Sequence, residues 1–258
     1  MSYTPYTTTG ACKTADEVNS DIAQIASIGF SSVRLYATDC SGLPNVGGAC
    51  KNHGLKLIAG IFIDESGISK ASEQVSDITS WGNQGNWDTI EMIVIGNEAI
   101  FNNYCTAEEL AGFITSTKET LKSAGYTGPC TTTEPLGTLM ANKGAICGVV
   151  DVVAANIQPF FNAAVSASDA GSFVASQLEL TGEQCPGKTA YNLECGWPSN
   201  GSPNGEAVPG PEQQKEAIGG VLGSSAASHT VIFSFENDAW KGSGDYGVEP
   251  YFGCADIL

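Results

Sequence analysis

Apolar residues along the chain alternate between two rhythms. Short runs rich in β-branched and aromatic residues are each followed by a longer stretch whose apolar positions recur three and four apart. The short runs predict strands at 2–6, 32–36, 56–62, 89–95, 129–133, 150–156, 189–193 and 230–235. The longer stretches predict helices at 15–27, 45–53, 68–80, 106–123, 166–180 and 211–222. In the first helix Val18, Ile22, Ile25 and Ala26 share a face, and Gly29 supplies a stop. Thr106-Ala-Glu-Glu109 reads as a capping box. The tail 248–258 carries no pattern for a full eighth helix.

Alternating strands and helices imply a parallel sheet. Eight such units in 258 residues, with no linker or break in composition, predict one domain over 1–258, an α/β (β/α)8 TIM barrel with short loops. The rival is a doubly wound open sheet. No strand is followed by a Gly-x-Gly-x-x-Gly fingerprint and no Walker A motif occurs, so the barrel is preferred.

Charge narrows the partners. The net charge is −17, and Arg34 is the one arginine. Phosphate contacts need Lys and Arg, so nucleic acid is disfavoured. The same holds for anionic membrane surfaces, and no apolar run approaches the ~20 residues of a spanning helix. Low charge density with abundant Gly, Ser, Thr and Asn suits a neutral polar ligand. Nine cysteines without a Cys-x-x-Cys pair favour some disulfides in an oxidising compartment over a zinc site, with an odd thiol left over. The expected location is therefore secreted or cell wall. No signal segment is visible; Met1 reads as an added start on a trimmed chain. Asn200-Gly-Ser202 matches a glycosylation acceptor.

A barrel of this kind places its chemistry at the C-terminal ends of the strands. That rim holds Tyr36 and Asp39, Asp64 and Glu65, Gly96-Asn97-Glu98, Glu134, Asn156 to Phe161, Glu194-Cys195-Gly196-Trp197-Pro198, and Glu236 to Lys241. Carboxylates, amides and aromatics dominate it. The two histidines, His53 and His229, precede strands at the opposite end, which disfavours metal hydrolysis and a Ser-His-Asp triad. No metal site and no cofactor are expected. Cleavage of a glycosidic bond needs one carboxyl to protonate the leaving oxygen and a second to attack the sugar or activate water. Several pairs of rim carboxylates remain open on this reasoning. Arg34 and Tyr36 point to the same side of their strand. A lone arginine aimed into the barrel mouth needs a carboxylate partner and would keep that acid ionised. Spacing does not say which acid it meets.

Six segments carry a resemblance: Tyr3-Thr-Pro-Tyr6, Val33-Arg-Leu-Tyr36 with Asp39-Cys40, Gly96-Asn-Glu98, Asn156 to Phe161, Glu194-Cys-Gly-Trp-Pro-Ser199 and Asp238-Ala-Trp-Lys241. In this order, across the whole chain, the sequence resembles glycoside hydrolase family 17 of clan A, the β-1,3-glucanases and β-1,3-glucanosyltransferases, and its fungal members more than its plant ones. The resemblance implies Glu98 as general acid/base and Glu194 as nucleophile. It implies that Asn97 binds the sugar 2-hydroxyl, that Arg34 sits near Glu194, and that Tyr3, Tyr36, Phe160 and Trp197 line subsites. Lys241 would contact glucan or the rim carboxylates. Gln158 and Asp238 also fall at substrate-binding positions, but depart from the family's usual Tyr or His and Glu; Cys195 replaces the usual Thr. The chain is short for the family, which implies a shallower cleft on the acceptor side.

The function expected on these grounds is retaining cleavage of β-1,3-glucan in the fungal cell wall through a covalent glycosyl-enzyme, with hydrolysis and transglycosylation sharing that intermediate. The expected partner is a β-glucan polysaccharide or oligosaccharide, and the expected state a monomer. The alternatives are a catalytically idle β-glucan-binding wall protein on the same fold, or an enzyme acting on β-1,6 or β-1,4 linkages.

Overall fold

The computed structural model describes residues 1–258. Eight parallel strands form one sheet in sequential order: β1 (Ser2–Tyr3), β2 (Ser32–Leu35), β3 (Lys56–Ile61), β4 (Ile90–Asn97), β5 (Cys130–Pro135), β6 (Val153–Asn156), β7 (Ala190–Cys195) and β8 (Thr230–Ile232). The seam between β8 and β1 is bridged just past β8, where the Phe235 N–H donates to the Ser2 carbonyl at 3.1 Å. Helices α1 (Ala15–Ile28), α2 (Gly48–Asn52), α3 (Ile68–Trp81), α4 (Ala107–Ser123), α5 (Leu136–Ile146), α6 (Ala170–Gln184) and α7 (Pro211–Leu222) alternate with the strands. This is the (β/α)8 TIM barrel that the alternation predicts. No helix is long and apolar enough to cross a membrane.

The apolar faces of the helices explain the packing. Val18, Ile22 and Ile25 of α1, and Leu110, Ile114 and Leu121 of α4, are buried against the outer face of the sheet in one large cluster. A separate small cluster, Ile58, Met92, Val94, Ala154, Leu193 and Val231, fills the inside of the barrel. The capping box at Thr106 forms as expected, with the Glu109 N–H donating to Thr106 Oγ1 at 3.2 Å.

Several elements differ from the pattern, among them β6, which starts at Val153, and α6, which runs from Ala170 to Gln184. β1 ends at Tyr3, and Tyr6 makes only an isolated bridge to Cys12. β8 ends at Ile232, before a cis peptide between Phe233 and Ser234. Helix α5 has no counterpart among the predicted helices. Its buried residues are only Leu139 and Ile146, while Met140 is exposed, so no continuous apolar stripe announces it.

Two disulfides join Cys12 to Cys40 and Cys147 to Cys185, leaving Cys50, Cys105, Cys130, Cys195 and Cys254 free. The first links the segments that follow β1 and β2, on the rim. The second links the ends of α5 and α6.

Gly60 sets the spacing of β2 and β3. A Cβ there would lie 2.1 Å from the carbonyl oxygen of Tyr36, backbone that cannot step aside. Gly60→Ala is expected to cost about 2–4 kcal/mol of stability, read from urea unfolding. An unchanged midpoint would show that the two strands part without penalty.

Candidate active site

Glu98 and Glu194 leave the C-terminal ends of β4 and β7 and face one cavity of about 540 Å³. Asn156 of β6 pairs in register with Glu194, so β6 ends directly beside the acid of β7. A second cavity, of about 380 Å³, lies at the opposite end of the barrel and holds a single carboxylate, Glu91.

The end of β4 is shaped for presenting a side chain. Gly96 has φ +85° and Glu98 has φ +54°, a left-handed conformation uncommon for a residue with a Cβ. The Glu98 N–H donates to the Thr133 carbonyl at 2.9 Å, which ties the turn to β5. Asn156 Nδ2 donates to Glu98 Oε1 at 2.9 Å and to Asn97 Oδ1 at 3.1 Å, and Asn156 Oδ1 accepts from Thr133 Oγ1 at 2.8 Å. Burial pushes the Glu98 carboxyl up to about 7, and the Glu194 charge adds to the rise against the lowering effect of Asn156.

Glu194 is surrounded by donors. Tyr36 Oη donates to its Oε2 at 2.9 Å and Gln158 Nε2 to its Oε1 at 3.1 Å. The Arg34 guanidinium stands 3.6 Å from Oε2. Both oxygens therefore accept, as those of an ionised carboxylate do. Arg34 is buried inside the barrel, donates to Asn97 Oδ1 at 2.7 Å and to the Leu193 carbonyl, and stacks 4.3 Å from the centre of the Tyr36 ring. Gln158 is fixed in turn by accepting from the Gly196 N–H at 2.7 Å. The two carboxyls thus stand in opposed settings, one desolvated and beside a like charge, the other fed by two hydrogen-bond donors and beside a guanidinium.

Several residues expected to line subsites lie elsewhere. Tyr3 is buried and its hydroxyl donates to Asp21 at 2.7 Å. Phe160 and Trp197 are 0% exposed; they pack edge to face at 5.5 Å, and the indole N–H donates to the Val208 carbonyl. These three rings are packed in the large apolar cluster. Arg34 is also a support beneath the carboxylates, not an open surface. Asp238 is buried, accepting from Thr4 Oγ1 at 2.8 Å and from Lys241 Nζ at 2.9 Å. Lys241 is occupied by that pair and lies over the Phe233 ring at 4.7 Å.

Other residues take the open positions. Phe161, 43% exposed, lines the cavity in place of its buried neighbour Phe160, and Phe101, 55% exposed, lines it too. The signal for Phe101 is an aromatic closing the apolar run Ala99-Ile100-Phe101 that follows Glu98. Asp245 and Glu249, after β8, bring the carboxylates lining the cavity to four, and no Lys or Arg lines it. Glu134, at the end of β5, is buried and accepts from the backbone N–H groups of Ile100 and Phe101. Cys195 is buried and burial pushes its thiol up to about 12, as for a small core residue.

The family model described as the BtgE/BtgC glycoside hydrolase domain matches residues 1–253. The probable beta-glucosidase btgE of Aspergillus terreus is 51% identical over 256 residues, 99% of this chain and 45% of that protein. The probable beta-glucosidase btgE of Emericella nidulans is 41% identical over 261 residues, 99% of this chain and 46% of that protein. The chain spans less than half the length of these relatives. Among solved structures, a glycoside hydrolase family 17 β-1,3-glucanosyltransferase from Rhizomucor miehei superimposes with a TM-score of 0.86 at 19% identity, covering 100% of this chain and 93% of that one. An active-site mutant of that enzyme's activity class and source, in complex with laminaritriose, gives 0.85 at 19%, covering 98% and 91%. An endo-laminarinase from Formosa Hel1_33_131 gives 0.75 at 14%, covering 98% and 82%. At these identities the likeness is one of fold.

Proposed function

The chain belongs to the BtgE/BtgC glycoside hydrolase domain family, and on that premise we propose that it is a retaining enzyme of family 17 type acting on β-1,3-glucan of the fungal cell wall. The observation that carries this reading is the opposed setting of the two carboxyls at the ends of β4 and β7. Burial and a like charge favour a protonated Glu98, suited to a general acid. Glu194, accepting on both oxygens, is suited to a nucleophile.

In the first step Glu194 attacks the anomeric carbon, the glycosidic C–O bond breaks, and Glu98 gives its proton to the departing oxygen. A covalent glycosyl-enzyme results, with inversion. Glu98, now a carboxylate, takes a proton from water or from a sugar hydroxyl, whose oxygen displaces Glu194. The second inversion restores the β configuration. Asn97 Oδ1 is taken up by Arg34 and Asn156, which leaves its Nδ2 as the donor for the sugar 2-hydroxyl. Phe101 and Phe161 offer apolar faces to sugar C–H surfaces. A cavity lined by carboxylates and free of Lys and Arg suits a neutral glycan better than a uronic acid. Two disulfides agree with a secreted or wall-bound location.

The relatives' name favours a second reading, release of single glucose units. Product analysis with laminarioligosaccharides separates the outcomes. Cleaved oligosaccharides are expected, shorter than the substrate where water captures the glycosyl-enzyme and also longer where a sugar hydroxyl does. Glucose alone, released stepwise, would favour the β-glucosidase reading. Bound but uncut oligosaccharide would leave an idle binding protein, and cleavage confined to β-1,6 or β-1,4 glucans would overturn the linkage.

A further inference from the structure

Glu134 is a buried carboxylate with no cationic partner. It is 1% exposed, and its contacts are backbone: Oε1 accepts from the Ile100 N–H at 2.9 Å and Oε2 from the Phe101 N–H at 3.1 Å. A charge placed so deep is costly, and the two amide hydrogen bonds offset only part of that cost. What it secures is the turn that follows Glu98. Thr133 of the same strand accepts the Glu98 N–H, so β5 holds that turn at both ends, by a carbonyl before it and a carboxylate after it. Glu98 between them sits at φ +54°, a conformation that surrounding contacts must impose.

We propose that Glu134 is a positioning residue for the general acid: it clamps the turn that carries Glu98 and keeps a carboxylate near it. This rests on the assignment of Glu98 as the acid. The groups facing Glu98 are Glu194 from β7, Arg34 from β2, Asn156 from β6 and Glu134 from β5. Cys105, at the end of the clamped turn, lies close enough to Glu134 for its thiol to feel that charge. Burial raises Glu134 while its amide bonds favour the ionised form; its charge in turn raises Glu98, to which Arg34 is opposed. Gln has the same shape but one accepting oxygen and no charge. Asp keeps the charge but falls a methylene short of both amides.

The test measures kcat and the pH profile of kcat/KM on laminarioligosaccharides for the full chain and for Glu134→Gln, Glu134→Asp and Glu98→Gln. Glu134→Gln is expected to move the basic limb down by about half a pH unit or more, and to lower kcat about tenfold or more. Glu134→Asp is expected to return the limb to the wild-type position while kcat stays about tenfold down. A merely structural role would lower activity in both variants and leave the limb unmoved in both, which overturns the inference. If Glu134→Gln does not fold, a wild-type kcat in Glu134→Asp still overturns the clamp. A Glu98→Gln variant as active as wild type would remove the acid assignment itself. An inactive Glu98→Gln beside wild-type-like Glu134 variants would remove only the role given to Glu134.

Discussion

Glu194→Ala is expected to lower kcat on laminarioligosaccharides by roughly four orders of magnitude or more, about 5.5 kcal/mol of lost transition-state stabilisation. No other side chain can take over the attack. Tyr36 and Gln158 donate to Glu194 and offer no nucleophile of comparable strength, and Arg34 carries no lone pair to give. Removing the carboxylate leaves room for a small anion beside the Arg34 guanidinium. Azide should therefore restore part of the turnover on a substrate with an activated leaving group. It would enter from the face that Glu194 occupied and yield an α-glycosyl azide, visible by NMR. A variant that keeps wild-type turnover, or rescue that yields a β-glycosyl azide, would place the nucleophile elsewhere.

Glu98→Gln is the second large effect. Loss of the proton donor is expected to cost roughly 10²–10⁴ in rate on glucan, and much less in the first step on a dinitrophenyl glycoside, whose leaving group departs without a proton. The pH profile carries the same information. Glu98 acts in its protonated form, so wild-type kcat/KM should fall as pH rises through about 7. The variant should lack that limb. Stability moves with it. The folded protein holds the Glu98 proton up to about 7, whereas a free glutamate releases it near the ordinary value of 4.5. The stabilising contribution is thus full below about 4.5 and is lost as pH rises through 7. At pH 8 the wild type carries a burden on the order of 2 kcal/mol that Glu98→Gln lacks. The variant should melt at a higher temperature than wild type at pH 8 and not at pH 4. Equal melting temperatures at both would mean that Glu98 is not desolvated.

Sequence pattern carries much of this and stops at identifiable places. The strands are legible because β-branched runs between turn residues are visible without knowledge of the fold. Helix α5 is not, because it buries only Leu139 and Ile146. Strand ends locate the rim, and period two puts Arg34 and Tyr36 on one side, where both meet Glu194. Past a strand end the period is lost. Phe160 and Phe161 are neighbours in a short 3-10 turn, and only packing decides that the first enters the core and the second opens to the cavity. Tyr3 and Trp197 turn inward for the same reason. Asn156 and Glu134 were legible as rim residues but not in their roles. Those roles depend on which neighbour's oxygen or amide comes within 3 Å, and that distance follows from barrel closure.

Arg34 gives the site an asymmetry that matters for anyone wishing to retune it. A guanidinium is a permanent cation. The charge it sets beside Glu194 is therefore not itself an adjustable setting. Glu98 has several: its burial, the Asn156 bond and the charges around it are separate handles. Selection for a different working pH should therefore leave β2 and β7 untouched and collect its changes around the ends of β4, β5 and β6.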